Sequence, residues 1–224
     1  MVLKEETIEA LALRYIKQGQ VLAFGTSEHS ETLLKKIALH MEEKNLKISV
    51  VPTSHKIAGL LADFKIPAVS LNDREIDVAF EFSSQVDKDF NFVKADSASL
   101  VRDKMIAQSA EELIVISDKK DFVEKISGTI PCEIAHFGWK RTLIQLEKLG
   151  EVKLRTANGQ EFRTESNHLL ADVKVDDIYD LYEIEYQAKE VPGVIETGLF
   201  IGYADRIILH NHGLEVKSRL EPEK

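Results

Sequence analysis

The chain has a single cysteine, Cys132, in 224 residues. That excludes an internal disulfide framework, and the thiol reads as a packed side chain in a reducing compartment. Five prolines and eleven glycines are too few for a fibrous or low-complexity chain. No apolar run approaches the roughly 18 residues of a membrane span; ELIVI, residues 112–116, is among the strongest. The opening MVLKEETIEA lacks the apolar centre of a signal peptide, so a cytoplasmic protein with no membrane partner is expected. Positive charge is also short: 29 Lys and Arg face 38 Asp and Glu, a net charge of −9. Without a basic stripe to offset phosphate repulsion, no nucleic-acid partner is expected. There is no G-x-S-x-G elbow, no P-loop and no full dinucleotide fingerprint, and no cofactor is expected. The seven histidines form no ligand set, so no metal is expected either. His210-Asn211-His212-Gly213 reads as a surface hairpin.

What is present is an alternation. Leu3, Ile8, Leu11, Ala12, Tyr15 and Ile16 recur at helical spacing, predicting a helix over 3–18. Short apolar strands are expected at 21–24, 48–52, 67–71, 76–82 and 113–117. Helices capped by small polar residues fill the gaps, at about 28–43, 56–64 and 97–110. Continuous apolar strands separated by helices predict a parallel sheet covered on both faces. After Gly128 the rhythm changes. Strands at 131–137, 152–156 and 169–175 and helices at 139–149 and 178–189 outline a smaller α+β module, with an Asn158-Gly159 turn. The apolar segment 206–210 returns to the first sheet. The expected fold is α/β: a Rossmann-like parallel-sheet domain (residues 1–129 plus 206–224) with an inserted small α+β, ferredoxin-like domain (residues 130–205).

Two stretches combine strand end, small-residue turn and helix start, the parts from which an α/β protein builds a site. In VLAFGTSEHSETLL a turn with one glycine opens a helix, and Glu28 sits in its first turn. A carboxylate there suits the helix dipole but competes with a bound phosphate. In VKADSASLVRDK, Asp96 or Ser97 is a candidate cap, and Arg102, Asp103 and Lys104 read either as a solvated helix face or as cleft residues. In the functional reading Lys94 stabilises an oxyanion and Asp103 is a base.

Ordered matches then give the chain a resemblance. PGVIETGLF (192–200) is similar to P-G-V-V-E-T-G-L-F of the A-type ribose-5-phosphate isomerase family, and NHLLADV and ADRIIL match further segments. VKADSASLVRDKMI aligns without a gap on the family's V-K-G-G-G-A-A-L-T-R-E-K-x-I, and AHFGWKRTLIQLEKLG resembles the segment after its P-V-E-V. The resemblance implies a Rossmann-like domain, a small α+β domain and a homodimer or homotetramer. It also implies interconversion of ribose 5-phosphate and ribulose 5-phosphate through an enediolate in the non-oxidative pentose phosphate branch.

The departures fall on the site. Where the family has G-T-G-S-T for phosphate, this chain has Gly25-Thr26-Ser27-Glu28-His29; D-G-A-D-E becomes Glu81-Phe82-Ser83-Ser84-Gln85. K-G-G-G becomes Lys94-Ala95-Asp96-Ser97, and the basic glutamate of T-R-E-K becomes Asp103. The D-x-S-K segment appears as Asp118-Lys119-Lys120-Asp121, with an aspartate where the family has lysine. The resemblance thus assigns Asp103, Glu81, Lys94 and Ser84 to catalysis. It assigns Thr26, Ser27, Glu28, His29, Phe82, Ser83, Ala95, Asp96, Ser97, Lys120 and Asp121 to substrate binding. Asp103 is one methylene shorter than the family's base and Glu81 one longer than its counterpart, while lost glycines restrict backbone approach. Glu28 and Asp96 add negative charge toward the phosphate. Two readings stay open here: an isomerase with altered substrate or weakened activity, and a non-catalytic sugar-binding or scaffold paralogue.

Overall fold

The computed structural model describes residues 7–175, 178, 180–211 and 213–220. In chain order, the first part runs α1 (Ile8–Ala12), β1 (Val21–Phe24), α2 (Glu28–Lys44), β2 (Ser49–Val51), α3 (His55–Asp63) and β3 (Ile76–Phe82). Next come β4 (Gln85–Asp87), β5 (Phe92–Val93), α4 (Leu100–Ser109), β6 (Ala110–Asp118) and β7 (Phe122–Val123). β8 (Gly128–Ile134), α5 (Trp139–Leu146), β9 (Glu151–Leu154), β10 (Thr156–Ala157), β11 (Gln160–Glu161) and β12 (Leu169–Val175) follow. α6 (Leu181–Lys189), β13 (Val194–Thr197), β14 (Leu199–Phe200), β15 (Arg206–His210) and β16 (Glu215–Ser218) complete it.

The apolar strands form one six-stranded sheet in the order β16-β15-β6-β3-β1-β2. Five of its strands run parallel and β16 closes the edge antiparallel. Both faces are covered, as continuous apolar strands require. Leu22, Phe24, Val78 and Phe80 pack toward α1, α2 and α3, with Phe24 and Phe80 stacked at 5.6 Å. Ala23, Ala79, Leu113 and Val115 face Ile106 and Ala107 of α4. β15 pairs with β6, so the 206–210 segment does return to this sheet.

The smaller sheet has the order β13-β8-β12-β9, all antiparallel, with α5 and α6 packed on it. The succession β-α-β-β-α-β in this spatial order is the ferredoxin-like arrangement. Asn158 and Gly159 both take positive φ (53° and 76°), the geometry of a two-residue hairpin turn. Cys132 lies buried in this layer.

A third sheet, β14-β5-β4-β7, joins strands from both parts of the chain, with Phe92 and Phe200 stacked at 4.4 Å. It escapes sequence reading because its members are only two or three residues long. Several expectations change in detail. Residues 67–71 are not a strand: Pro67 has no N–H to donate, and only Ala68 bridges, to Val50. The helix expected over 97–110 begins at Leu100, because Ser99 rather than Asp96 or Ser97 caps it by accepting the Arg102 N–H. The strand expected over 131–137 runs instead from Gly128 to Ile134. In the first helix, Ile8–Ala12 passes into a 3₁₀ turn at Leu13–Tyr15, and Leu3 lies outside the described residues. The β15–β16 hairpin carries Asn211 and Gly213 at positive φ, while His212 lies outside the described residues.

Phe80 is fully buried at the centre of the large sheet. Phe80→Ala should therefore cost about 3–5 kcal/mol of folding stability, read as a lowered urea midpoint.

Candidate active site

β3, β5 and α4 bring three ionisable side chains together at the carboxyl end of the parallel sheet, where open α/β sheets bind ligands. Glu81 is the penultimate residue of β3, Lys94 follows β5, and Asp103 sits in the first turn of α4. All three are 0% exposed. The Lys94 ammonium is bonded to Oε2 of Glu81 and lies 3.4 Å from Oδ2 of Asp103. Asp103 also accepts the Thr26 N–H (2.8 Å), the Thr26 hydroxyl (2.8 Å) and the Ser97 hydroxyl (2.7 Å). Buried charges survive only when paired and bonded in this way. The solvated-face reading of 102–104 is thus corrected, since Asp103 and Lys104 both turn inward.

The two acids are unequal. Burial pushes Glu81 up to about 8, against the pull of Lys94 and with the Asp103 charge adding to the rise. Burial acts to lower Lys94, but Asp103 and Glu81 outweigh it and hold the ammonium above its ordinary value. Oε1 of Glu81 is buried without a partner. The long Glu81 side chain also reaches over Gly25: a Cβ there would stand 1.8 Å from its Oε2. Glycine is needed at 25 for this close approach.

Above Asp103 opens a cleft of about 540 Å³, and Thr26 and Ser97 belong both to its lining and to the Asp103 clasp. Ser27, Glu28, Asp96 and Ala98 line the same cleft, with Ser54, His55 and residues 162–165 opposite. Its cations are engaged: Lys56 with Glu31 (3.4 Å), Arg163 with Glu161 (2.9 Å) and Arg155 with Asp172. Arg155 also donates to the Ala95 carbonyl (2.8 Å), fixing the 95–97 turn. Glu28 and Asp96 have no ion pair among the described residues.

Of the remaining expected residues, Ser83 stays at the strand end that carries Glu81, and the others make bonds of their own. Ser84 donates its hydroxyl to the carbonyl of Val93, the residue before Lys94 (2.9 Å). His29 is exposed and lies on the Phe82 ring (5.3 Å). Ser83 donates its N–H to the Ile116 carbonyl (3.1 Å). Lys120 and Asp121 form a 3₁₀ turn outside this cleft, with Lys120 3.7 Å from Asp118. No group of three or more His, Cys, Asp or Glu able to hold a metal occurs among the described residues.

Sequence reading missed Glu133. It is fully buried and accepts from the Val101 N–H (3.0 Å), the Thr164 hydroxyl (2.8 Å) and the Ser99 hydroxyl (3.3 Å), and it meets His168 Nδ1 at 2.9 Å. It ties the start of α4, and so Asp103, to the opposite cleft wall. A glutamate in an otherwise apolar strand was the available signal.

Two outcomes follow from Glu81. Gly25→Ala should destabilise the chain, and should cost less when made in Glu81→Ala than in the wild type; the cycle is measured by chemical denaturation. Because Glu81 titrates higher folded than unfolded, its stabilising share is present at low pH and lost as pH rises from 4.5 toward 8. The stability of the protein relative to Glu81→Gln should therefore decline across that window, by on the order of 1.4 kcal/mol per pH unit at most. A difference that is flat with pH contradicts this.

The geometry finds close counterparts. The family model of ribose 5-phosphate isomerase A (phosphoriboisomerase A) matches residues 49–213. Ribose-5-phosphate isomerase A 2 of Oceanobacillus iheyensis is 31% identical over 205 residues, covering 90% of this chain and 92% of that one. Ribose-5-phosphate isomerase A of a Synechococcus strain is 32% identical over 221 residues, covering 95% of each. Among solved structures, ribose 5-phosphate isomerase from Plasmodium falciparum superimposes with a TM-score of 0.88 at 24% identity, over 94% of this chain and 95% of that one. A D-ribose-5-phosphate isomerase in complex with phospho-erythronic acid gives 0.87 at 27% identity, over 94% and 96%. Extended matches of this kind in sequence, fold and chain length establish that the chain belongs to the ribose 5-phosphate isomerase A family.

Proposed function

We propose that the chain is an aldose–ketose isomerase that interconverts ribose 5-phosphate and ribulose 5-phosphate through an enediolate. The observation that carries this is the Lys94 ammonium set between two buried carboxylates beneath a polar cleft. Moving a proton between C1 and C2 needs a carboxylate base and a cation for the developing oxyanion. Asp103 takes the proton and Lys94 stabilises the oxygen. Glu81, raised to about 8, has the protonation range of a group that can return a proton near neutral pH. Thr26 and Ser97 release Asp103 to substrate by exchanging their hydroxyl bonds for those of the sugar.

In this reading the Rossmann-like unit (1–129 with 206–224) supplies the chemistry, and the 130–205 unit closes the cleft through Arg155 and residues 162–165. Among the described residues no helix is long and apolar enough to cross a membrane. The reading includes a cytoplasmic homodimer or homotetramer; exposed Phe137, Ile144, Tyr182 and Tyr186 on the small unit support self-association. The unpaired acids Glu28 and Asp96 make the cleft a weak host for a phosphate dianion.

Formation of ribulose 5-phosphate by the purified protein tests the proposal, and its complete absence overturns it. Asp103→Asn should lower kcat by about a hundredfold or more with the protein still folded; unchanged turnover removes Asp103 as the base. Glu28→Gln with Asp96→Asn should lower KM for ribose 5-phosphate, most clearly at low salt, where charge repulsion is least screened.

A further inference from the structure

Among the described residues, three buried side-chain polar atoms have no hydrogen-bond partner: Oε1 of Glu81, Oγ of Ser83 and Oγ of Ser117. An orphaned buried polar atom is costly, so each calls for an explanation. All three stand at the carboxyl ends of the adjacent parallel strands β3 and β6. Glu81 pairs with Val115, and side chains alternate along a strand. Glu81 and Ser83 therefore share one face of the sheet with Val115 and Ser117, the face on which α4 packs. The Ser83 N–H bonded to the Ile116 carbonyl keeps the two strand ends in step beyond the last ladder pair. The row begins at the free oxygen of the carboxylate that holds Lys94 and runs outward along the strand ends. Ser117 is 2% exposed and has no role in the chemistry described above.

We propose that Ser117, with Ser83 and the free oxygen of Glu81, is a hydroxyl-recognition strip for the carbon chain of an open-chain polyhydroxylated substrate, and that Ser117 is a specificity-determining residue of this site. The spacing suits the ligand. Ser83 stands two residues beyond Glu81 on one face and Ser117 level with it on the next strand, so the groups meet hydroxyls along a chain rather than a single polar atom. A hydroxyl both donates and accepts, so the strip can answer sugar hydroxyls in either sense. The free protein carries the cost of the unsatisfied groups, and the bound ligand removes it. Stability and affinity therefore move in opposite directions when the hydroxyl is deleted.

This inference rests on the isomerase reading for its substrate, but its test does not require turnover. Ribitol 5-phosphate, an open-chain polyol phosphate with no carbonyl to isomerise, is titrated calorimetrically into the wild-type protein and Ser117→Ala. The variant should melt no lower than wild type without ligand, yet bind about three- to tenfold more weakly, the range of one hydrogen bond. Ser117→Thr, which keeps the hydroxyl, should retain more affinity than Ser117→Ala. Equal affinity of wild type and Ser117→Ala overturns the proposal, as does a failure of the wild type to bind the polyol. A lower melting temperature for the free Ser117→Ala variant also overturns it, since the hydroxyl would then have a partner within the fold. Binding of the polyol with no turnover of ribose 5-phosphate leaves the strip standing and removes the isomerase reading instead.

Discussion

Everything at the carboxyl end of the large sheet depends on one lysine charge shared by two acids. Lys94 is fully buried, and an isolated ammonium in such a place would lose its proton. Asp103 and Glu81 keep it charged, and Asp103 is held in place in turn by the Thr26 and Ser97 hydroxyls. Glu81 receives less. It has the lysine on one oxygen and nothing on the other, so its proton is held far more tightly than an exposed glutamate's.

That constraint explains the surrounding residue choices. Glu81 needs the space over residue 25, and only glycine leaves it. Thr26 must present both its amide and its hydroxyl to Asp103, and its oxygen also accepts the Ala98 and Ser99 N–H groups. The turn after β1 is therefore tied to the turn before α4. Ser97, which reads as a cap, is diverted to the carboxylate, and the capping falls to Ser99. Asp103, shorter than the family's base, is clasped by Thr26 and Ser97, while the longer Glu81 keeps one oxygen without a partner.

Much of the fold was legible because burial writes itself into the sequence. Continuous apolar stretches around Phe24, Phe80 and Ile114 mark strands covered on both sides, and Ser27 and Ser54 mark helix starts by their own bonding. The Arg206–His210 segment could be returned to the first sheet because it is apolar and isolated from the alternation of the small unit. The third sheet was not legible, since strands of two or three residues have no period to read. In the site, Lys94 and Asp103 could be named from the strand-turn-helix context and the family match, but their burial could not. A stretch such as Arg102-Asp103-Lys104 looks solvated until the partners from Thr26, Glu185 and Glu196 are placed in space. Glu133 and Ser117 were hidden for the same reason: their meaning lies in what surrounds them in three dimensions.

The backbone of Lys94 has a second attachment. Its N–H donates to the Gly198 carbonyl (3.0 Å), and the Gly198 N–H donates to the Pro131 carbonyl (2.7 Å) in β8. Proline side-chain atoms stand so close to Gly198 that no larger residue fits without displacement. With Arg155 on the Ala95 carbonyl, the lysine segment is strapped at two points to the ferredoxin-like layer. The place of the ammonium is thus set by both layers at once: the sheet that bears the acids fixes its partners, and the ferredoxin-like layer fixes the backbone that carries it.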